Sequence, residues 1–409
     1  MEQTKKLLFI TDNFPPETNA PAIRTYEHCK KWVQLGVEVT IITCAPNFPK
    51  GKVYKGYKNK IIQYEKMNGI NIIRVWSYIT ENKGTIKRTI DYISFGISSF
   101  LAGIFVKSDI IVATTPQFFT AISGRCLSFF KQKPWVLEVR DLWPDSIIAV
   151  GSLRNESLIY KILKKIEKRL YNSADRIVVV TDSFEDYLKN SHDINPKKIG
   201  VFKNGVTPSS LKVNKTKADE IKSNLSLNDK TIISFIGTHG LAHRLSFILD
   251  AAKDLDYKSN NLHFLFVGDG AKKKELVVKK ERLRLNNVTF IDSVSKSEVA
   301  NYISLSNISL VTLRKNEEFK KVIPSKIFEN IALNKPILLG VEGEAKKLVE
   351  SYGVGESFEP ENKEDLIRAI KDIQKLQYSE NFYSKCQQVL KDFNRSKIAA
   401  SMLKFIFKS

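Results

Sequence analysis

The sequence predicts an α/β protein made of two doubly wound, Rossmann-like domains that face each other across a cleft. Three observations carry this expectation. Val/Ile/Leu runs of strand length recur through both halves, and runs that are apolar throughout belong to parallel strands covered on both faces. Intervals of helix length separate them, as in repeated βαβ units. The chain also has 409 residues, more than one core ordinarily organises, so two domains of roughly 200 residues are expected.

In the first half, KKLLFIT (5–11) forms the opening strand, and a helix from about Ala22 to Leu35 leads to VEVTIITC (37–44). The apolar run in MEQTKKLLFIT is too short for a signal peptide and reads as strand. INIIRVW (70–76), SDIIVATT (108–115), PWVLEVR (134–140) and DRIVVVT (175–181) continue the series. KNGVTPSSLKVNKTKADE (203–220) has Asn-Gly, a proline and no apolar period, which marks a junction. The pattern restarts at TIISFIG (231–237), followed by HFLFVGDG, NVTFID, ISLVTL and KPILLGV. The expected domains are 1–205 and 206–390, with a final helix in 391–409 packing back toward the first. No solenoid-length repeat or low-complexity run interrupts them.

Two segments depart from the pattern. Thr89 to Val106 carries one charge, Asp91, in 18 residues. A spanning helix needs about 20 apolar residues, so a buried or amphipathic helix is expected, with interfacial membrane contact as the alternative. From Glu156 to Tyr171, Ile159, Ile162, Leu163, Ile166 and Leu170 form one stripe, with Lys161, Lys164, Lys165, Lys168 and Arg169 around it. Such a helix turns its stripe to the core and its basic face to solvent, or to anionic headgroups.

The net charge is +21. Residues 1–205 hold 31 Lys+Arg against 19 Asp+Glu, and residues 206–409 hold 34 against 25, so the excess is spread over both halves. An anionic partner is implied. Zinc-finger spacing, RNP-like aromatics and helix-turn-helix patterns are all missing, which disfavours nucleic acid. The cysteines Cys29, Cys44, Cys126 and Cys386 are scattered without a CxxC pair, as buried free thiols in a reducing compartment would be.

Three strand-turn-helix junctions stand out: ISFIGTHGLAHR (233–244), FLFVGDG (264–270) and IPSKIFENIALNKPILL (323–339). Junctions of this kind present free N–H groups at the carboxyl edge of a parallel sheet, where phosphates bind. Gly237, Gly240, Gly268 and Gly270 allow close backbone approach. Ser325 and Lys326 open a helix, where an ammonium suits an anion, and Glu329 follows one turn on.

Together with DNFPPETNAPAIRTYEHCKKWVQLGVEVTIIT (12–43) and EVRDLWPDSIIAVGSL (138–153), these segments resemble the family 4 retaining glycosyltransferases of GT-B fold. The resemblance covers nearly the whole chain through five motifs in register. The 138–153 segment is similar to a subgroup that builds O-antigen and capsule, including N-acetylfucosamine transferases. The resemblance implies that Glu329 takes the second position of a Glu-x7-Glu motif, on the donor ribose hydroxyls, whereas Lys321 stands where the first Glu would be. It places Ser325 and Lys326 at the diphosphate, and the Gly268–Asp269–Gly270 loop near the nucleotide base. Thr238, His243 and Arg244 stand where the family has an Arg and a Lys-Gly pair, so Arg244 or His243 is expected to steady the leaving diphosphate.

On the acceptor side, Arg140, Asp141 and Trp143 follow a buried strand. Asp141 is expected nearest the acceptor hydroxyl, with an Arg140–Asp141 structural ion pair as the plain alternative. The loop from Pro15 to Arg24 would face the donor phosphate, with Asn19 and Ala20 in place of the family's paired glycines. The expectation is retaining transfer from a UDP-sugar to a polyprenyl-diphosphate-linked saccharide, peripheral on the inner face of the cytoplasmic membrane. No DxD pair ends a strand, so no metal is expected, and no cofactor beyond the sugar nucleotide. The alternatives are a nucleotide-sugar 2-epimerase on the same fold and a non-catalytic basic protein that binds membrane or nucleic acid.

Overall fold

A computed structural model describes residues 4–81, 84–151, 154, 157–258, 261–376 and 380–408. The chain divides into two compact units, one running to Lys203 and resuming at Arg395, the other Asn204–Asn394.

The first unit holds strands β1 (Lys6–Ile10), β2 (Glu38–Cys44), β3 (Ile62–Met67), β4 (Ile70–Val75), β5 (Ile110–Thr114), β6 (Trp135–Val139), β7 (Arg176–Val179) and β8 (Ile199–Val201). Its helices are α1 (Ala20–Gln34), α2 (Thr85–Ile104), α3 (Phe118–Lys131), α4 (Asp145–Ala149), α5 (Leu158–Ser173) and α6 (Asp182–His192). The sheet order is β3-β4-β2-β1-β5-β6-β7-β8. β1, β2 and β4 through β8 are parallel, and β3 alone pairs antiparallel, on β4. β3 is absent from the sequence reading because IQYEKM has no apolar run. It is an edge strand held by a tight hairpin whose Asn68 and Gly69 both have positive φ.

The second unit contains α7 (Lys215–Asn224), β9 (Thr231–Ile236), α8 (Leu245–Lys258), β10 (Leu262–Val267), α9 (Lys273–Leu283), β11 (Val288–Ile291) and α10 (Lys296–Leu305). It continues with β12 (Ile308–Thr312), α11 (Lys326–Ala332), β13 (Ile337–Gly340), α12 (Glu344–Tyr352), β14 (Gly355–Ser357), α13 (Lys363–Leu376) and α14 (Phe382–Asp392). The six strands are parallel in the order β11-β10-β9-β12-β13-β14. Buried Ile, Leu and Phe cover both faces of the sheet, which is why its strands read as unbroken apolar runs.

The last helix, α15 (Arg395–Ile406), belongs to the first unit. Ala399, Met402 and Ile406 pack into the core that holds Cys29 and Trp32 of α1. Trp32 donates its indole N–H to the Ala399 carbonyl at 2.8 Å, and Arg395 pairs with Glu27 at 2.8 Å.

Several sequence expectations change. The presumed linker is shorter, since its second half enters α7, which Asn214 caps by accepting from the Lys217 N–H. In α5 the stripe does not face the core throughout: Ile159 and Ile162 are exposed, while Glu167, Leu170 and Tyr171 are buried. Glu156, expected to start that helix, lies outside the described residues, as do Ser152 and Leu153. Cys126 is exposed, unlike the other three cysteines. α2 is one helix of 20 residues, and no helix among the described residues is long and apolar enough to cross a membrane.

Each sheet changes winding direction once. In the first unit the chain builds outward from β1 through β2 and β4, then returns to place β5 on the other side of β1. In the second it builds from β9 through β10 and β11, then places β12 beside β9. Loops at the carboxyl ends of these strand pairs diverge and leave a crevice, where ligands bind in doubly wound sheets.

Candidate active site

The crevice of the second unit is framed by the loops after β9, β10 and β12. The first two touch backbone to backbone. Gly237 N–H donates to the Val267 carbonyl, His239 N–H to the Asp269 carbonyl, and Lys272 N–H to the His239 carbonyl. A Cβ on Gly268 would lie 2.0 Å from the Gly237 carbonyl oxygen, and one on Gly270 would lie 2.7 Å from that of His239. Both glycines have φ in the positive range that side chains avoid, +144° and +156°. Asp269 completes the turn by accepting from the Gly270 N–H at 2.7 Å. Gly240 differs from the expectation: its φ is −101° and a Cβ there meets only ordinary contacts. Nothing at that position requires glycine.

Lys326 enters this frame from the first turn of α11. Its Nζ is buried without a hydrogen-bond partner and lies 3.6 Å from the centroid of the Phe235 ring. A Cβ on Gly237 would be 3.0 Å from it, so the glycine leaves room for the ammonium. Burial lowers the Lys326 pKa to about 7, against the opposing pull of Glu329 one turn further along. A cation stripped of water and left unpaired is costly, and the aromatic face offsets only part of that. The site is therefore poised to take an anion.

The histidines do not share the charge. His243 donates from Nδ1 to the Thr312 carbonyl at 3.2 Å, which assigns the free lone pair to Nε2. Burial, then the Lys326 charge, lowers its pKa to about 3. His239 is fully buried among Phe235, Phe266 and Phe290, and burial with the Lys273 and Lys326 charges lowers it to about 4. Arg244 turns outward to pair with Glu361 at 3.1 Å, half exposed. The positive charge expected from His243 or Arg244 is thus supplied in this crevice by Lys326. Ser325 precedes it without a side-chain cap bond, and no hydrogen bond or ion pair engages Glu329 among the described residues. Lys321 pairs with Glu318 at 2.7 Å, one turn apart in a short 3-10 segment.

At the switch point of the first unit lies a cavity of ≈ 320 Å³. Asp12, Asn13, Glu17 and Asn19 line it from the β1 loop, Pro116 and Gln117 from the β5 loop, and Asp91 from α2. Asn19 caps α1 by accepting from the Ala22 N–H, and its amide donates to Asn13. Burial pushes Glu17 and Asp91 each up to about 7, with the Asp12 charge adding to both, and raises Asp12 as well. No motif marks these carboxyls in the sequence, and the one signal is Asp91, the single charge in an apolar stretch.

Arg24 and Arg140 are held inside the domain. Arg24 bonds Glu138 at 3.0 Å and the carbonyls of Phe202 and Lys203. Arg140 bonds the other oxygen of Glu138 at 2.6 Å, and also the Pro21 carbonyl and the Thr25 hydroxyl. Arg140 thus takes Glu138 as its ion partner, rather than the Asp141 that the sequence offered. Burial favours the neutral Glu138, but the Arg140 and Arg24 charges and hydrogen bonds prevail and hold it below the usual carboxylate range. Asp141 sits at the end of β6, where the Thr115 hydroxyl and the Trp143 N–H reach its carbonyl. The Trp143 ring packs on Tyr92 and Phe118 beside the cavity.

Two family models divide the chain between them: Glycosyltransferase Family 4 matches residues 22–210, and Glycosyl transferases group 1 matches residues 216–389. Both are models of glycosyltransferases, and together they span most of the chain. This glycosyltransferase is 26% identical over 281 residues to a probable glycosyltransferase, WbjE, of Pseudomonas aeruginosa, spanning 67% of this chain and 68% of that one. It is 26% identical over 238 residues to TuaH of Bacillus subtilis, a putative teichuronic acid biosynthesis glycosyltransferase, of which it spans 58%. Anabaena HepE, solved in complex with UDP and glucose, superposes with a TM-score of 0.72 at 14% identity, covering 99% of this chain and 100% of that one. The shared fold is GT-B.

Proposed function

We propose that this glycosyltransferase moves a sugar from a UDP-sugar to a polyprenyl-diphosphate-linked saccharide, with retention at the anomeric carbon, in the building of a surface polysaccharide such as O-antigen or capsule. N-acetyl-L-fucosamine is the first donor sugar to try. The observation that carries the donor reading is the buried, unpartnered Lys326 ammonium at the β9/β12 switch point. A diphosphate placed there restores the charge that burial has half removed. As the bond from the anomeric carbon to the phosphate oxygen breaks, one more negative charge gathers on the diphosphate. Lys326 then stabilises the departing group more than the bound one, which is the condition for catalysis. The ribose hydroxyls fall to Glu329. A departing phosphate oxygen takes the proton of the attacking hydroxyl on the same face of the sugar. The lysine supplies the counter-charge that a metal supplies elsewhere, so activity is expected in EDTA.

The lipid-linked acceptor rests on the surface of the first unit. Ile86, Ile90, Ile93, Ile97 and Leu101 form an exposed row along α2, continued by Phe105. Such spacing puts them on one helix face. A basic groove lined by Arg125, Lys165, Lys168 and Arg169 lies between α3 and α5. Apolar side chains beside cations suit the surface of an anionic bilayer. One of the two relatives, TuaH, is named for teichuronic acid biosynthesis, which fits a polysaccharide product.

The test is product analysis with UDP-sugars, EDTA and a short polyprenyl-diphosphate sugar. The expected product has the donor's anomeric configuration and is not formed by Glu329→Ala. An inverted product overturns the retaining mechanism, and equal transfer to a soluble sugar without liposome binding overturns the lipid-linked acceptor.

A further inference from the structure

The cavity at the β1/β5 switch point has two unusual properties. The first is Glu17, which is 2% exposed. Its Oε1 accepts from the backbone N–H groups of Asn47 at 2.8 Å and Phe48 at 2.9 Å, which fixes the carboxyl in place. Its Oε2 is buried and bonded to nothing, although the residue lines the cavity. A buried polar atom without a partner is costly, and a ligand hydroxyl or ammonium removes that cost. The second property is the company Glu17 keeps. Asp12 and Asp91 line the same walls, and the Asp12 charge opposes ionisation of both other carboxyls.

We infer that this cavity is a sugar-ring site that accepts a neutral or amine-bearing ring and rejects one bearing a carboxylate, with Glu17 and Asp91 as the discriminating residues. The volume lies in the range of small-molecule pockets, roughly 300–1,000 Å³. Its walls combine aromatic faces from Phe48, Tyr92 and Phe95 with the amides of Asn13, Asn19 and Gln117. That mixture suits a ring with apolar faces and hydroxyl edges. A metal ion is a poor alternative, because no group of three or more His, Cys, Asp or Glu among the described residues is placed to hold one. An added carboxylate would bring a further negative charge beside three carboxyls, Glu17 and Asp91 each about half ionised at neutral pH, and like charges at such short range repel. Arg88 is the cation in the wall: it donates to the Tyr92 hydroxyl at 2.7 Å, its Nε is buried without a partner, and its charge falls on Asp91. α2 also joins the cavity to the surface: Arg88, Asp91, Tyr92 and Phe95 line the cavity from it, and its exposed isoleucine row lies on the same helix. Naming this ring as the sugar that receives the transfer rests on the function proposed above, whereas the charge selection does not.

Saturation-transfer NMR on the full chain at neutral pH would use methyl glucoside, methyl glucosaminide and methyl glucuronide as probes. Thermal stabilisation by UDP is recorded on the same samples. The glucoside and the glucosaminide should bind, and the glucuronide should bind at least about tenfold more weakly, roughly 1.4 kcal/mol. Glu17→Gln and Asp91→Asn should each narrow that gap. Glucuronide binding as well as glucoside overturns the inference. So does a gap unchanged in both variants, or binding of none of the three while UDP still stabilises the protein. If UDP gives no stabilisation yet the probes discriminate as expected, the donor reading falls and the charge selection stands.

Discussion

The two switch points share an architecture and differ in electrical sense. Both are crevices at the carboxyl edge of a parallel sheet, where the strand order reverses. In the first unit burial raises two carboxyls to about 7, and in the second it lowers one lysine to about 7. The physics is the same desolvation acting on groups of opposite sign. Fold alone therefore places a site, while the side chains around it set its charge: carboxyls in one unit, a lysine in the other.

The largest effect should come from breaking the backbone frame of the second site. Gly268→Val sets a side chain where a Cβ already lies 2.0 Å from a carbonyl oxygen. With the positive φ besides, a loss above about 4 kcal/mol is expected in denaturant titration. Removing Glu138, which holds Arg24 and Arg140 in the first unit, comes next. Glu138→Ala leaves two buried guanidinium groups without their counter-charge, at about 3–5 kcal/mol.

The electrical contrast itself is tested by pH. Lys326 has a folded pKa of about 7, below its unfolded value, so the unfolded chain binds more protons between pH 7 and the ordinary lysine range. Its burial penalty is full below pH 7 and fades as pH rises, at about 1.4 kcal/mol per unit of lowering. Lys326→Met should therefore stabilise the protein at pH 6 and do so less at pH 10. Glu17 behaves in the opposite direction. The folded carboxyl keeps its proton up to about 7 while the unfolded one loses it near 4.5, so stability falls as pH rises through that window. Glu17→Gln should be neutral at pH 4 and stabilising at pH 8, on the order of 1–3 kcal/mol. Melting curves at these pH values check both, and parallel responses of the two variants would break the comparison. The smallest effect belongs to Arg244→Ala, which removes a half-exposed ion pair and should change stability by less than about 1 kcal/mol.

The parallel strands at the centre of both sheets were legible because burial on both faces writes itself as continuous apolar sequence. Three of the four edge strands were not: β3 alternates with solvent, and β8 and β14 have three residues each, whereas β11 at the fourth edge was read from NVTFID. Gly237, Gly268 and Gly270 were legible as glycines at strand ends, and Lys326 as the residue that opens a helix. His243 and Arg244 were misleading because sequence shows that a group can be cationic, not whether burial leaves it neutral or an exposed glutamate draws it outward. The carboxyl cavity stayed hidden because Glu17 and Asp91 are 74 positions apart in sequence, and only the packing of α2 brings them to one wall. The exposed isoleucines of α2 were visible as an apolar run, but their facing was not.

The central claim is that Lys326 waits partly deprotonated for a diphosphate. Calorimetric titration of UDP at pH 8 in EDTA, in buffers of different ionisation enthalpy, counts the protons taken up on binding. The account predicts uptake approaching one proton in the wild type and none in Lys326→Met, with affinity lower by about 10- to 100-fold in the variant, as for a lost charged hydrogen bond of about 1.5–3 kcal/mol. UDP binding without proton uptake, or with the same uptake in both proteins, would contradict it.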